Sequence, residues 1–250
     1  VNTVKMERED VIRLFALEGR AATPTPHSPL GLRLQGKPAL HKHPLFIEGA
    51  VEVQDEGSQL LGLLLAPKRG EMVCDFCAGA GGKTLLLGAL MANSGRLYAY
   101  DVSEKRLNNM KPRLARSGLS NVHPQLIAHE RDPKIKRLAG KFDRVLVDAP
   151  CSGLGTLRRN PDLKWRQNPE SIAELTVKQA AILESAARLL KVGGRLVYAT
   201  CSLLEEENEA IVDAFLSAHP DYALIPVRDI LAAQHIDLEK IGRASCRERV

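Results

Sequence analysis

The sequence lacks any uninterrupted run of about 18 apolar residues, so it offers no segment able to span a bilayer as a helix. Its first ten residues carry several charges and lack the apolar stretch of a signal peptide, which predicts a cytoplasmic protein. Internal repeats and low-complexity segments are also missing. These absences argue against membrane-spanning and secreted classes and favour an intracellular globular protein.

Cysteine is scarce, with five residues in a chain of 250. In an intracellular protein we expect them to be reduced, and therefore available for catalysis or metal binding instead of disulfides. Cys74 and Cys77 form a short-spaced pair, but no second pair accompanies them, and Cys74 should point into a sheet. We therefore expect no zinc site and no other metal.

The charge of the chain is moderately informative about its binding partners. Hydrophobic residues make up 44% and charged residues 26%, as in ordinary globular domains. The formal net charge of +5 suits a polyanionic partner without proving one. Three arginines and one glutamate in the last ten residues account for +2 of that total.

Those last ten residues, 241–250, fit neither a helical nor a strand pattern. They match, codon by codon, what a widely used sequencing adapter would give if read as coding DNA. We interpret 241–250 as a non-native tail, expect it to form no regular element and to pack against nothing, and leave Cys246 out of the site. The chain also opens with Val1 instead of Met, as a gene fragment open at both ends would.

From Glu71 onward, apolar strands alternate with amphipathic helices. The predicted strands are 72–76, 96–100, 122–128, 144–148 and 195–199, and the predicted helices 84–92, 103–116, 172–190 and 205–218. We expect Gly193 and Gly194 to close the third of these helices. This alternation predicts an α/β fold with a mostly parallel sheet covered by helices on both faces.

Residues 1–49 precede this pattern and 50–240 would form the main domain. The first segment predicts a helix over 4–17 and a short strand over 30–34, separated by prolines. Two interpretations stay open for it: a packing extension with solvated charges, or the remnant of an RNA-contacting module.

A glycine-rich turn, residues 75–84, joins the first predicted strand to its helix. A phosphate-binding P-loop would need glycine where Cys77 stands, and Gly79, Gly81 and Gly82 lack the dinucleotide spacing. The glycines still let the backbone approach a ligand closely beside a helix N-terminus. Asp101 directly follows the second strand, where a carboxylate can bind both ribose hydroxyls of a nucleoside cofactor or simply cap the next helix.

Two cysteines follow buried-looking strands. Cys151 lies in Asp148-Ala-Pro-Cys-Ser-Gly153, and Cys201 lies in Thr200-Cys-Ser202. A single cysteine at a strand end is usually a small buried hydrophobe. Because parallel strands end at one edge of a sheet, we expect both sulfurs to face a shared cavity beside the glycine turn.

With these motifs in place, residues 49–222 resemble the Sun/RsmB family of RNA (cytosine-5) methyltransferases. The resemblance rests on four stretches, which are 75–84, 148–153, 158–165 (Arg-Arg-Asn-Pro-Asp-Leu-Lys-Trp) and 198–208 with its Glu206-Glu207-Asn208. It implies the Rossmann-like fold of S-adenosylmethionine-dependent methyltransferases and formation of 5-methylcytosine, most commonly in ribosomal RNA. It further implies a monomer that binds RNA, with neither a metal nor a membrane.

The resemblance also assigns catalytic roles. Cys201 would attack carbon 6 of cytosine and thereby make carbon 5 nucleophilic. Cys151 would assist release of the enzyme after methylation, and Asp148 would hold the polar edge of the base. Lys83 would line the same site, and it is the nearest cation that could lower the pKa of the attacking thiol.

By the same resemblance, one set of residues would hold S-adenosylmethionine: Cys77, Ala78, Gly79, Gly81, Gly82, Lys83, Asp101, Glu130 and Asp148. Either Glu130 or Asp132 could be the carboxylate on the adenine side of the cofactor. The turn departs from the family's usual Ala-Ala-Pro-Gly-Gly-Lys, because Gly79 and Ala80 stand where the family has alanine and proline, although Gly81, Gly82 and Lys83 match. Family members also continue with a further pair of strands, which we expect to be missing here.

Basic residues flank the motifs at Arg158–Trp165 with Arg166 and at 134–141, where they could contact RNA phosphates or form a solvated face. Two other functions stay open. One is a methyltransferase with another substrate, and the other is a catalytically inactive RNA-binding or ribosome assembly factor on the same fold.

Overall fold

The computed structural model of the chain describes residues 1–36, 38–237 and, as backbone only, 245–249. The N-terminal part contains α1 (Arg8–Leu17), β1 (Ala22–Pro24), β2 (Leu32–Leu34) and α2 (Pro44–Ile47). The main domain then runs α3 (Glu56–Leu65), β3 (Met72–Asp75), α4 (Gly82–Leu90), β4 (Arg96–Asp101), α5 (Glu104–Ser117), β5 (Val122–Leu126), α6 (Pro133–Lys136), β6 (Phe142–Asp148), α7 (Leu163–Arg166), α8 (Pro169–Ala187), β7 (Leu190–Ala199), α9 (Glu209–Ala218), β8 (Tyr222–Pro226), α10 (Val227–Ala232) and β9 (Ser245–Arg249). Short 3-10 turns cover Leu40–Lys42, Leu154–Thr156 and Glu205–Glu207.

One seven-stranded sheet organises the main domain, in the order β5-β4-β3-β6-β7-β9-β8. The first five strands are parallel, and β9 runs antiparallel to both β7 and β8. The chain leaves the central strand β3 in one direction toward β5, and later returns on its other side to build β6 and β7. Such a change of direction opens a crevice at the carboxyl ends of the strands.

Alternate residues of the central strands enter two different cores. Val145 and Val147 of β6 pack with α8 and α9 on one face, whereas Leu146 packs with α3, α4 and α10 on the other. All three side chains are fully buried. A strand that is apolar on both faces is what a parallel sheet covered by helices requires, so the predicted layer order is confirmed.

The predicted elements are found with shifted ends. Helix α1 begins at Arg8, four residues after the predicted start, and β2 covers the last three residues of the predicted strand 30–34. The prediction that Gly193 and Gly194 close the long helix was wrong. Helix α8 ends at Ala187 and both glycines lie inside β7, where Gly193 has φ 75°. The register to β6 shifts there, and glycine tolerates the left-handed backbone of such a bulge.

Two expectations about the end of the chain were also wrong. The strand pair expected to be missing is present as β8 and β9, and the segment expected to be irregular supplies β9. Strand β7 would otherwise expose a row of unpaired N–H and C=O groups, which any extended backbone can satisfy whatever its side chains. The expectation that the side chains of 241–250 pack against nothing falls on residues outside the described part, since 241–244, 250 and the side chains of β9 are not in it.

The N-terminal residues pack onto the main domain through α5. The Asn2 side-chain amide donates to Ser117 O at 3.0 Å, and Lys5 Nζ donates to Arg116 O at 2.6 Å. Val11 and Phe15 of α1 form a small core of their own with Leu45. Among the described helices, none is long and apolar enough to cross a membrane.

The packing of α8 against the sheet gives a stability prediction. Leu183 is fully buried, so we expect Leu183→Ala to lower the free energy of unfolding by about 2–5 kcal/mol through lost contacts and a cavity. Val177→Ala on the same helix, at a position 73% exposed, should change it by less than about 0.5 kcal/mol. Urea unfolding followed by circular dichroism measures both, and equal effects would contradict the described orientation of α8.

Candidate active site

An open cleft of about 820 Å³ lies at the carboxyl ends of β3, β4 and β6. Its volume is in the range of pockets that hold a cofactor-sized ligand. Most of the residues chosen from the sequence line it, namely Cys77, Ala78, Gly79, Gly82, Lys83, Asp101, Glu130, Asp148, Cys151 and Cys201.

The glycine turn between β3 and α4 forms one wall. Gly79 has φ 57°, and its N–H donates to Asp101 Oδ2 at 2.8 Å. Gly81 has φ 86° but does not line the cleft, since a Cβ there would approach Met110 Cγ to 2.5 Å. Gly81 therefore lets the turn pack against α5, while Gly79 and Gly82 face the ligand space.

Asp101 stands at the rim where β4 ends and is only 4% exposed. Its Oδ1 accepts from Ser103 N–H at 2.7 Å, and its Oδ2 accepts from Gly79 N–H. The carboxylate thus joins the glycine turn to the start of α5, where Ser103 is the N-cap. Each oxygen retains a lone pair for a ligand hydroxyl.

Of the two candidate carboxylates that follow β5, Glu130 lines the cleft. Asp132 instead caps α6, where its carboxylate accepts from Ala128 N–H at 2.9 Å and from Lys134 N–H at 2.8 Å. These backbone hydrogen bonds lower the pKa of Asp132. Its oxygens are therefore committed to local structure.

The two cysteines meet at the mouth of the cleft. Cys151 Sγ and Cys201 Sγ are 3.3 Å apart, although 50 residues separate them in sequence. Gly155 N–H donates to Cys201 O at 2.8 Å, and a Cβ on Gly155 would lie 2.6 Å from that oxygen. Glycine at this position therefore allows the two cysteine loops to approach each other.

The contact between the sulfurs shifts the pKa values of the two thiols in opposite directions. A hydrogen bond from Cys151 lowers the pKa of Cys201 to about 7, against the effect of burial and of the Asp148 charge. The same hydrogen bond, together with burial, raises the pKa of Cys151. Cys201 is therefore the more readily ionised thiol of the pair.

Lys83 contributes less to the lowered pKa of Cys201 than the sequence indicated. Its ammonium binds Asp148 Oδ2 at 2.5 Å and is a minor cause of the lowered pKa of Cys201. Deeper in the cleft, burial raises the pKa of Asp75 to about 7, although the Thr84 hydroxyl donates to it at 2.7 Å.

The remaining cysteine pair belongs to the core. Cys74 is fully buried among the apolar residues beneath α8, and Cys77 packs against the same cluster. Burial raises the pKa of both thiols. Among the described residues, no group of three or more histidine, cysteine, aspartate or glutamate side chains could hold a metal ion.

Sequence reasoning missed several residues of the cleft. Lys178 and Ile182 enter it from α8, and Arg106 and Arg113 from α5. Lys178 and Ile182 are four apart and so share a helix face, which is a signal the sequence carries, but nothing local shows that this face meets the site.

Fold and site together define a protein with the Rossmann-like fold of methyltransferases. Residues 62–243 match the family described as 16S rRNA methyltransferase RsmB/F, and the chain belongs to that family.

Curated relatives include the "Probable ribosomal RNA small subunit methyltransferase B" of Synechocystis sp., 41% identical over 90% of this chain and 51% of the relative. The enzyme named ribosomal RNA small subunit methyltransferase B of Salmonella arizonae is 42% identical over 90% of this chain and 52% of its own. The chain thus spans about half the length of these relatives. A solved structure of a methyltransferase homolog protein from Pyrococcus horikoshii is 35% identical, with a TM-score of 0.80, over 90% of this chain and 70% of that one.

The thiol pair gives a pH prediction. Because its folded pKa is about 7, Cys201 should be alkylated by iodoacetamide above that pH and lose reactivity as the pH falls through it. Cys151→Ala removes the S–H donor and should move this midpoint upward. Mass spectrometry of the Cys201 peptide after a brief reaction at each pH measures it.

Cys74 is the internal control for that experiment, since its fully buried thiol should stay unmodified over the same pH range. A midpoint that does not move in Cys151→Ala would show that the hydrogen bond between the sulfurs has no influence on Cys201.

Proposed function

We propose that this chain is the catalytic part of an S-adenosylmethionine-dependent methyltransferase that forms 5-methylcytosine in small-subunit ribosomal RNA. The observation that carries the proposal is the contact between Cys151 and Cys201 at the mouth of the cleft. One low-pKa thiol and one protonated thiol within reach of a single ring suit an enzyme that forms and then breaks a bond to a base. Membership of the 16S rRNA methyltransferase RsmB/F family supports the choice of substrate.

The cleft fits the proposed cofactor. Asp101 would accept hydrogen bonds from the ribose hydroxyls, and Glu130 would lie on the adenine side. Gly79 and Gly82 would let the methionine end approach the backbone. When bound, S-adenosylmethionine supplies an electrophilic methyl group on a sulfonium.

The proposed reaction begins with the Cys201 thiolate. Its addition to carbon 6 of cytosine forms a carbon–sulfur bond and moves the ring electron pair to carbon 5, which then takes the methyl group. Loss of the carbon 5 proton and cleavage of the carbon–sulfur bond restore the aromatic ring and the thiolate. Cys151 would take the carbon 5 proton as a thiolate, because bonding of Cys201 to carbon 6 removes the hydrogen bond and the charge that raise the pKa of Cys151 in the free protein.

Asp148 and Lys83 would orient the base. Asp148 can accept a hydrogen bond from the exocyclic amine of cytosine while Lys83 holds its other side at 2.5 Å. An ion pair fixed in this way presents one carboxylate oxygen in a set direction. That would favour cytosine over uracil, which has a carbonyl oxygen in place of the amine.

The surface beside the Cys151 loop suits RNA. Trp165 is 81% exposed, and Lys164 Nζ lies 4.8 Å from the centre of its ring. The turn that carries them contacts the cysteine loop, because Gln167 Nε2 donates to Ser152 O at 3.0 Å. An exposed aromatic ring among arginines and lysines can stack on a base while the cations bind phosphates.

The cofactor part of the proposal predicts the effect of Asp101→Ala. Loss of hydrogen bonds to a charged acceptor should weaken binding of S-adenosylhomocysteine by about 10- to 100-fold. Isothermal titration calorimetry measures the dissociation constant, with Asp213→Ala on the exposed face of α9 as the matched control. Unchanged affinity in Asp101→Ala would show that Asp101 does not bind the ribose hydroxyls.

The cysteine roles predict opposite outcomes for two variants. Cys201→Ala should abolish methylation because no bond to carbon 6 can form. Cys151→Ala should transfer the methyl group but stay bound to the RNA, as a complex that survives denaturing electrophoresis. If Cys201→Ala gave that complex and Cys151→Ala did not, the two roles would be exchanged.

The activity itself is tested on 16S ribosomal RNA that lacks modification. After incubation with this chain and S-adenosylmethionine, bisulfite sequencing should show a protected cytosine that is absent when Cys201→Ala is used. Methyl incorporation at a base other than cytosine, or incorporation that survives Cys201→Ala, would overturn the proposal.

A further inference from the structure

A buried carboxylate lies behind the two cysteine loops. Glu207, at the end of the 3-10 turn Glu205–Glu207, is fully buried although its neighbours Glu205 and Glu206 are exposed. It does not line the cleft. Burial of a carboxylate is costly unless hydrogen bonds compensate it, so its partners indicate what it does.

The donors to Glu207 come from the residues that follow the two cysteines. Ser152 N–H donates to Oε1 at 2.8 Å, and the Ser152 hydroxyl donates to Oε2. The Ser202 hydroxyl lies 3.1 Å from the Ser152 hydroxyl and also interacts with the carboxylate. One side chain thus connects the loop after β6 with the loop after β7.

Helix α8 completes the network through Gln179, which is also fully buried. Its Nε2 donates to Glu207 Oε1 and to Pro150 O, both at 2.9 Å. On the other side, the Tyr198 hydroxyl donates to Glu207 O at 2.8 Å. Glu207 is therefore anchored to α8 through its carboxylate and to the sheet through its backbone carbonyl.

These hydrogen bonds also fix the ionisation of Glu207. Burial works to raise its pKa, but the bonds from Ser152, Ser202 and Gln179 hold the pKa below the usual range. An ionised carboxylate accepts and never donates, so each surrounding donor has one defined direction. A network of this kind restricts the backbone of both loops.

We propose that Glu207 is a positioning residue that holds the Cys151 and Cys201 loops together, so that their sulfurs meet at the mouth of the cleft. The proposal deepens the proposed function, although its test needs no methyl transfer. Without the carboxylate, the donors of Ser152 and Gln179 would be left unpaired and the loops would separate.

The direction in which the pKa of Cys201 moves in a Glu207 variant distinguishes a positioning role of Glu207 from a purely electrostatic one. Of the charged groups that line the cleft, Asp148 and Lys83 act on the pKa of Cys201, and both stay in place in a Glu207 variant. Removing a negative charge would, by itself, make the Cys201 thiolate easier to form. Losing the Cys151 hydrogen bond would make it harder to form.

The test is the pH dependence of Cys201 alkylation by iodoacetamide, read on the Cys201 peptide of the full chain. In Glu207→Ala we expect the midpoint to rise from about 7 toward about 8.5, the value of an unperturbed cysteine. Glu207→Gln keeps one acceptor oxygen for Ser152 and Gln179, and its midpoint should therefore stay close to that of the wild-type chain. Glu206→Ala, on the exposed neighbour, should leave the midpoint unchanged.

An unchanged or lowered midpoint in Glu207→Ala overturns the proposal, as does an equal shift in Glu207→Gln and Glu207→Ala. If Glu207→Ala does not fold, Ser152→Ala decides, because it removes the hydroxyl shared by Glu207 and Ser202. A raised midpoint in Ser152→Ala supports positioning, and an unchanged one overturns it. Should the variants show these shifts while the wild-type chain never methylates cytosine, the proposed function would fail and this inference would stand.

Discussion

The parallel pairing of β6 with β7 is the constraint on which the site depends. Asp148 and Ala199 are register partners, and the ladder continues one step further as Ala149 N–H donates to Ala199 O at 2.9 Å. Both chains then leave the sheet side by side, so cysteines 50 residues apart in sequence reach the same place. In an antiparallel pair, the two strands would end at opposite edges and their loops could not meet.

The same geometry collects three aspartates at one edge of the sheet, and each is accommodated differently. Asp148 pairs with Lys83, and Asp101 accepts two backbone N–H groups. Asp75, the deepest of them, accepts from the Thr84 hydroxyl, and burial raises its pKa to about 7. Burial therefore disfavours the charged form of this aspartate.

Backbone pairing and side-chain pattern are separate sources of structure in this chain. The strands β3, β6 and β7 follow from apolar residues that must be buried on both faces. By contrast, β9 pairs in a segment whose side chains gave no strand signal, since β7 and β8 offer hydrogen-bonding edges on either side of it. Gly193 and Gly194 show the opposite case. Their pattern predicts the end of a helix, but in the structure they form a bulge within strand β7.

The sequence by itself determined the order of the five parallel strands and of the helices α4, α5, α8 and α9, the glycine turn, and the placement of Asp101, Cys151 and Cys201 at or after strand ends. Those properties depend on the spacing of apolar residues and on chain order, which are local. It could not determine side-chain environments that distant segments create. Only the tertiary structure decided that Gly81 faces Met110, that Glu130 lines the cleft while Asp132 caps α6, and that one of three successive glutamates is buried. Each of these outcomes depends on which other element packs against the residue, and that is fixed only when the sheet and its helices are assembled.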